Sequence, residues 1–568
     1  MNIQRKLFKK RRTLLAGIAC TFLAACGDSS RPNPQVQTGT LLDSPVSGIA
    51  YSTLTQSGVT NAQGHFTFRP GEEISFRLGE LHLGTTLGRN QVTLFNLAGV
   101  SSLPENLTEL YESLSEKAEH RPLHHAINLG VLLQTLDADA EPNNGIEILP
   151  AVAQHFTASS LWLSQPYTRF QNSHRLRQIL RATDQASLLS SRDLTPAHSA
   201  FAHMMDQAGF NQEIFLAREI ETNTDGVGAP EHVYSRTFTS SGKLATAYFD
   251  TDGDGNANNG SDYLYTAYGK LSSRSTDQNG DAVYDEVVSY SYSNFGEITR
   301  IETTDGASAT IRLELQGYDT NGVLTSREIT TGAQRSQWRW LADDTGTRTA
   351  IEYDTDGDDN WERHDDLVYD DNDRWIDRQI DLDNNSSVDQ HRTRAFNSLG
   401  MMTRDANDTN NDGNIDQLEI WAFNPNGQLL EYVRTFPTDT TRTDALRTTI
   451  TYDDSGRKIL TTTDNGDDST IDTRETIVYS TNDNGTEQTD YLYDTNGDDV
   501  TDQSNVLLYN SDRQILRRTY TFGLDSTNPT ISVTDYMYDS AGRLTTATTG
   551  NQVVTYSDYV AIPLGLFI

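Results

Sequence analysis

From residue 223 onwards, apolar and polar positions alternate. Ile311, Leu313 and Leu315 are separated by Arg312 and Glu314, and Tyr290 and Tyr292 flank Ser291. A period of two is the pattern of strands, and the abundance of Thr, Tyr, Val and Trp agrees with it. Turn residues punctuate the alternation at Gly242, Gly269, Gly296, Gly322, Gly346, Asp373, Gly400, Gly427, Gly456, Gly485, Asp512 and Gly542, at intervals of 24 to 30 residues. A fixed period marks a repeat architecture. It predicts a mainly β protein with about twelve hairpin units of 27 residues over 223–568. A meander of about two dozen strands must coil or divide. The expected form is therefore a long antiparallel β-hairpin array coiled into a ribbon or superhelix. A six-bladed β-propeller, with two units to a blade, is the alternative. The coil is preferred because the aromatic turn recurs in every unit.

Upstream the period changes. Residues 39–103 hold short alternating runs, such as His65–Phe68 and Ile74–Leu78, which read as half-buried strands of a β-sandwich module. Over 104–222 the spacing becomes helical: Leu107, Leu110, Tyr111 and Leu114, then Leu129, Leu132, Leu133 and Leu136. Three to five helices are expected there, one opening at Thr195-Pro196. His124 and His125 are adjacent, and His198 and His203 are five apart without a zinc-protease glutamate, so all four read as solvated or core histidines. Asp137, Asp139 and Glu141 could line a cation loop, but Pro142 and Ile148 equally suit a capped turn.

About eight residues after most turn glycines lies an acidic loop. Seven are clear, beginning at 250, 277, 354, 381, 408, 464 and 494. Their candidate ligands stand at places one, three, five and nine. They are Asp250, Asp252 and Asp254; Asp277, Asn279, Asp281 and Asp285; Asp354, Asp356, Asp358 and Glu362; and Asp381, Asp383, Asn385 and Asp389. The later loops offer Asp408, Asn410, Asp412, Asp416 and Glu419; Asp464, Asp468, Asp472 and Glu475; and Asp494, Asn496, Asp498 and Asp502. A tight loop aims alternate side chains inward, and calcium takes six to eight oxygens. Loop 408–419 even has Gly413 at place six and Glu419 at place twelve. Its flanks are strand-like, so Ca²⁺ at several hairpin loops is the expectation. The bland reading is that Asp and Asn form Asx turns.

Charge and cysteine usage narrow the classes. The chain of 568 residues has 80 Asp and Glu against 44 Lys and Arg. That excess of acid excludes a general nucleic-acid binder. The two cysteines, Cys20 and Cys26, exclude a disulfide scaffold, a Cys-ligated zinc and a thiol nucleophile in the folded body. Residues 1–25 pair a basic RKLFKKRR run with a short apolar stretch, which reads as a removable signal peptide, and 26–38 as a polar tether. No GxSxG, HExxH or phosphate-binding glycine loop is present.

Four resemblances sharpen these readings. Leu23-Ala24-Ala25-Cys26 resembles the lipobox of Gram-negative lipoproteins, which implies cleavage before Cys26 and its acylation. Gly27 after the cysteine resembles the pattern for export to the outer membrane, on its periplasmic or surface-exposed face, and two or three acyl chains would anchor the protein. The string TNAQGHFTF at 60–68 resembles prealbumin-like or carboxypeptidase-regulatory-like modules of surface proteins. YDTNG at 318–322, YDDSG at 452–456 and YDSAGRL at 538–544 resemble the YD repeats of RHS-type proteins, over about 320 residues. The acidic loops are similar in spacing to EF-hand and integrin FG-GAP loops. Together they lead to the expectation of a non-enzymatic, lipid-anchored surface protein whose calcium-stiffened array serves adhesion or protein and glycan contact. The alternatives are an enzyme acting on envelope polysaccharide and an RHS-like, toxin-related shell.

Overall fold

The computed structural model describes residues 35–567, apart from 115–121, 158–160, 344–347, 371–373, 398–399, 426, 440–441, 443 and 482–485. Cys26, the leader and most of the tether lie outside the described residues. From Glu213–Asn223 to Gln552–Pro563 the chain forms 26 strands, each antiparallel to its neighbour in sequence. The last strand then pairs with the first, from Glu213 opposite Pro563 to Asn223 opposite Val553. The array is a closed barrel. It is neither the expected coiled ribbon nor a propeller. A ribbon leaves two strand edges unpaired, and closure removes both. A propeller would break the ladder after every fourth strand, whereas here successive strands pair without interruption.

The hairpin turns explain why the units repeat so regularly. Asp319 Oδ1 accepts the backbone N–H groups of Asn321 and Val323, both at 2.8 Å, and Gly322 follows with φ of 79°. That left-handed position belongs to glycine at little cost. Each described turn of this type shifts the register by one residue next to the aromatic position, as at Gly317/Tyr318 and Thr451/Tyr452. The bulge adds twist, and twist repeated around a sheet closes it. Acidic loops gather at one rim and YD-type turns at the other, as the meander reading expects. Among the described turns one is displaced from its sequence assignment: the left-handed residue is Arg513, with φ of 58°, not Asp512, while Gly346, Asp373 and Gly485 lie outside the described residues.

Strand register separates two faces. One carries the aromatic residues Tyr292, Tyr318, Trp338, Tyr353 and Tyr452; the other is rich in Ser, Thr and Asp. On the aromatic face three carboxylates are each clasped by two arginines: Glu314 by Arg312 and Arg327, Asp365 by Arg363 and Arg378, Asp405 by Arg392 and Arg394. The acids are buried and the guanidinium groups stack on Trp338, Tyr353 and Trp375, so the charges are paired and covered. Neither face forms a buried layer; most side chains on both are half exposed. Twenty-six strands at a spacing of about 4.8 Å give a backbone radius of about 20 Å before tilt widens it. The barrel is hollow.

Residues 35–212 form a cap. A three-stranded sheet (His65–Phe68, Gln37–Leu42, Gln91–Thr93) and a four-stranded sheet (Ser57–Val59, Ala50–Ser52, Glu73–Leu78, Leu81–Leu87) carry Phe66, Phe68, Ile74 and Phe76 inward. The two sheets meet through Phe66 and Phe76, whose rings lie edge to face at 5.3 Å, and through Tyr51 against Phe66. Their core runs without a break into the helices Pro122–Leu136, His174–Gln185 and Ala197–Gln207, and takes in Leu564 from the end of the chain. Pro196 is the N-cap of the last of these helices, one residue earlier in register than the Thr195-Pro196 reading expects. His124 and His198 are buried and His125 and His203 largely covered, as core histidines; burial pushes His125 and His198 down to about 4. Asp139 accepts from Glu141 N–H and Asn144 Nδ2, and Asp137 accepts from Glu147 N–H, so 136–148 is a capped turn.

Candidate functional site

The acidic rim is built from strand ends. In each of the seven loops, place one closes a strand and is buried: Asp250, Asp277, Asp354, Asp381, Asp408, Asp464 and Asp494. Its two oxygens accept backbone N–H groups from the loop it opens. Asp494 takes Gly497 at 2.7 Å and Asp499 at 2.9 Å; Asp381 takes Asn385 at 3.0 Å and Ser386 at 2.6 Å. Burial alone would raise the carboxyls of Asp250, Asp277, Asp381 and Asp494, but those backbone donors outweigh it and hold them below the ordinary range. Asp354 is lowered against the same burial, with Gln337 adding a side-chain donor.

Place nine closes the loop. Asp285, Glu362, Asp389, Asp416, Asp472 and Asp502 each accept the N–H of place two, as in Glu362 with Thr355 at 2.7 Å and Asp502 with Thr495 at 2.7 Å. Asn258 plays this part in the first loop. Places three and five each accept an N–H two residues on, so Asn279 holds Asp281, Asp281 holds Val283, Asn410 holds Asp412, Asp412 holds Asn414, and Asn496 and Asp498 repeat the pattern. Asp254, Asp358, Asn385 and Asp468 do the same at place five. The Asx turns of the bland reading are therefore formed.

Those turns leave carboxylate oxygens converging. In three loops oxygens from different residues come within 4.8 Å of one another: Asp354, Asp356, Asp358 and Glu362; Asp250, Asp252 and Asp254; Asp381, Asp383 and Asp389. A backbone hydrogen bond from Asp358 lowers the Asp356 carboxyl, but desolvation together with the charges of Asp358, Glu362 and Asp354 outweighs it and raises it. Hard oxygen donors at this density fit a cation such as calcium. Glu419 and Glu475, at place twelve, are not brought to the loops. The segment leaving each loop is a strand rather than a helix, so place twelve falls on the aromatic face. There Glu419 accepts from Gln417 and Glu475 pairs with Lys458.

Sequence reasoning missed what joins one loop to the next. A Cβ on Gly280 would fall 2.2 Å from Ala257 O, and one on Gly497 2.1 Å from Ile471 O. Where asparagine replaces glycine at place four, its amide donates to the same carbonyl: Asn384 to Trp361 and Asn411 to Val388, at 2.8 and 2.9 Å. The loops stack into a continuous rim. The signal was visible as Gly or Asn at place four, beside the acids that drew attention.

The opposite rim is tied by the YD residues. Tyr265, Tyr292, Tyr318, Tyr452, Tyr479 and Tyr538 each donate their hydroxyl to the carbonyl that opens the second strand of the preceding hairpin, Leu244, Leu271, Ile298, Leu429, Lys458 and Ile515 in turn. The cation after the turn glycine lies over the next aromatic ring: Lys243 over Tyr265, Lys270 over Tyr292, Arg457 over Tyr479. Cap residues pack on this rim at the turns of Gly269, Gly296, Gly322 and Gly400. A Cβ on Gly296 would lie 2.0 Å from Asp193 Oδ1, on Gly322 2.3 Å from Arg181 Nε, and on Gly400 2.7 Å from the Trp162 ring.

No family model matches the chain, and no curated protein matches it. Among solved structures it is similar to TcdB2-TccC3 without its hypervariable C-terminal region, at 14% identity over 61% of this chain and 19% of that one, with a TM-score of 0.30. A Photorhabdus luminescens Tc holotoxin pore matches at 11% identity over 63% of this chain and 25% of that one, TM-score 0.21. A porin-like protein from Bacteroides uniformis matches at 11% identity over 53% of this chain and 97% of that one, TM-score 0.15. The chain spans about a fifth to a quarter of the toxin chains it matches. At these identities and TM-scores, the functional reading rests on the barrel's own geometry. That geometry does not suit a membrane-spanning barrel. Most strands have seven residues, whereas spanning takes about nine to eleven. Charged residues stand mid-strand on both faces, Glu314, Asp365 and Asp405 on the aromatic one and Glu352, Arg404 and Asp490 on the other, so neither face offers the apolar band that lipid contact would require.

Proposed function

We propose that this chain is a non-catalytic, RHS-like shell protein of the bacterial envelope, held to the outer membrane by acylated Cys26. The observation that carries the reading is a closed, hollow barrel of YD-type hairpins with the chain's own cap seated on one rim. A scaffold for adhesion needs only an exposed surface; it gives no reason for closure or for a cap. A hollow of about 20 Å backbone radius, by contrast, is room for a guest polypeptide. Calcium would load the acidic rim, with Asp354, Asp356, Asp358 and Glu362, Asp250, Asp252 and Asp254, and Asp381, Asp383 and Asp389 as its ligands. The ion would supply charge neutralisation and stiffness and no chemistry of bond breaking. Extracellular calcium modules have dissociation constants on the order of 0.1–1 mM, and tenfold saturation stabilises by about 1.4 kcal/mol per independent site.

A calcium titration of the mature chain, with its melt followed against an EDTA control, tests the rim. A multi-site isotherm and a raised melting temperature are expected; a flat isotherm at several millimolar would reduce the loops to Asx turns. Small-angle scattering tests the shell. It should return the form factor of a hollow particle, and a filled-sphere profile would remove the shell reading.

A further inference from the structure

The turn between the cap strands Gln37–Leu42 and Val46–Ser47 places an aspartate inside the cap core. Asp43 and Ser44 are buried, as is Gln134 of the helix Pro122–Leu136. Gln134 Nε2 donates to Asp43 Oδ2 at 3.0 Å, while Asp43 Oδ1 is buried with no hydrogen-bond partner. His203 Nε2, from the helix Ala197–Gln207, stands 3.7 Å from that oxygen, beyond hydrogen-bond reach, and 3.2 Å from Ser44 Oγ. A carboxylate shut away from water needs donors on both oxygens. Here a single amide serves the pair. The acid form suits the site better, because a protonated Oδ1 is itself a donor and an imidazole nitrogen faces it. Burial pushes the Asp43 carboxyl up to about 7, against the lowering effect of Gln134.

The surrounding charges do not supply a cation. Arg192 donates to the carbonyls of Thr135, Asp137 and Ala138, and Asp137 accepts from Glu147 N–H. His124 and His125, on the helix of Gln134, bond to Leu114 O and Leu83 O. The helix of His203 adds His198, which lies against Gly269, and the acid Asp206. Burial holds His203 itself below the ordinary imidazole range, against a backbone hydrogen bond at Asp43 and the charge of Asp206. Leu94–Ala98 and Leu564–Leu566, which pack on these two helices, hold no ionisable side chain, and His65 on the strand paired with Gln37–Leu42 is exposed. The turn is also strained. Ser44 has φ of 56°, a left-handed conformation that side chains with a Cβ rarely adopt. It is held by its contacts: Asp43 under Gln134, Ser44 Oγ against His203, and Pro45 O accepting Ile146 N–H at 3.0 Å.

We propose that the turn from Asp43 to Val46 is a proton-gated seat: one proton held between Asp43 and His203 keeps it docked on the two helices, and loss of that proton leaves a bare buried carboxylate that drives the turn out. A carboxyl raised in the fold contributes stability that is present below the ordinary aspartate value of about 4 and is lost as pH rises to about 7, after which the loss is complete. Hydrogen exchange on the full chain reads the seat at the Ile146 N–H, as protection relative to an unstructured peptide at the same pH. In the wild type that protection should fall at least tenfold between about pH 5 and about pH 8.5. In Asp43→Asn, which keeps the shape and cannot ionise, it should stay level within about threefold. Level protection in the wild type would overturn the proposal, and that arm needs no variant to fold. An equal fall in Asp43→Asn would also overturn it, because a group other than Asp43 would then be titrating.

Discussion

At the scale of single residues, the repeat signature is a set of ties between neighbouring hairpins. Tyr452 Oη donates to Leu429 O at 3.1 Å, across a boundary between units. Its position before the Asp453 turn is conspicuous in the sequence, yet the partner is a backbone carbonyl, which no side-chain pattern announces. Removing the hydroxyl while keeping the ring, in Tyr452→Phe, should cost about 1 kcal/mol and lower the melting temperature by about 1–2 °C. Calorimetry showing no shift would mean that water satisfies both groups equally well. Place six of the acidic loops offers the opposite change. Ala282 sits at φ of 64°, a conformation that costs a non-glycine residue roughly 1–2 kcal/mol. Ala282→Gly relieves that strain but makes the unfolded chain more flexible, so a net gain of up to about 1 kcal/mol is expected in a denaturant melt. A loss would show that the loop is not strained there.

At the scale of elements, loops and strands differed in how openly the sequence declared them. Strand positions were legible because a period of two survives even where neither face is buried. The loops were legible in their acids, and the structure adds that place one serves the backbone while places three and five form turns within the loop. Glu419 and Glu475 were misleading because place twelve has meaning only when a helix leaves the loop; a strand carries it away. Proton linkage separates the roles. The carboxyls of Asp250, Asp277, Asp354, Asp381 and Asp494 are lowered in the fold, so the stability they contribute is present above about pH 4 and lost as pH falls through their folded values. Asp356 has the opposite sign: its carboxyl is raised by desolvation and by its acidic neighbours, so the calcium-free fold loses stability as pH rises through that value. In EDTA the melting temperature should therefore drop steeply below about pH 4. At pH 7 Asp356→Asn should melt higher than the wild type in EDTA and gain less from calcium. Equal melting temperatures for the two proteins in EDTA would show that the loop carries no repulsion for calcium to relieve.

At the scale of the whole molecule, closure was the feature the sequence hid. Every local sign, including alternation, turn chemistry and a period near 27, is shared by an open coil and a closed barrel. What distinguishes them is one pairing, Glu213–Asn223 against Gln552–Pro563, between strands more than 300 residues apart that carry no turn motif in common. The cap's seat was hidden for the same reason: Asp193, Arg181 and Trp162 belong to no pattern until the turns they cover are brought beneath them. The seam also bears a particular load. Elsewhere each strand pairs with a neighbour joined to it by a short turn or loop, so a local defect is held in place on both sides. At the seam the ladder alone opposes the entropy of a loop hundreds of residues long. Thr555 lies mid-strand there, opposite Glu221 on one side and Thr546 on the other. Proline at this site removes a ladder hydrogen bond and does not fit a strand paired on both edges. Thr449→Pro makes the same change between Glu431 and Thr462, inside the meander. If closure is what keeps the molecule monomeric, Thr555→Pro should expose two free edges and drive self-association, seen as higher mass by light scattering at micromolar concentration. Thr449→Pro should lower the melting temperature and leave the mass unchanged. Association of both variants to the same extent would mean that strand disruption anywhere suffices and that the seam has no special role.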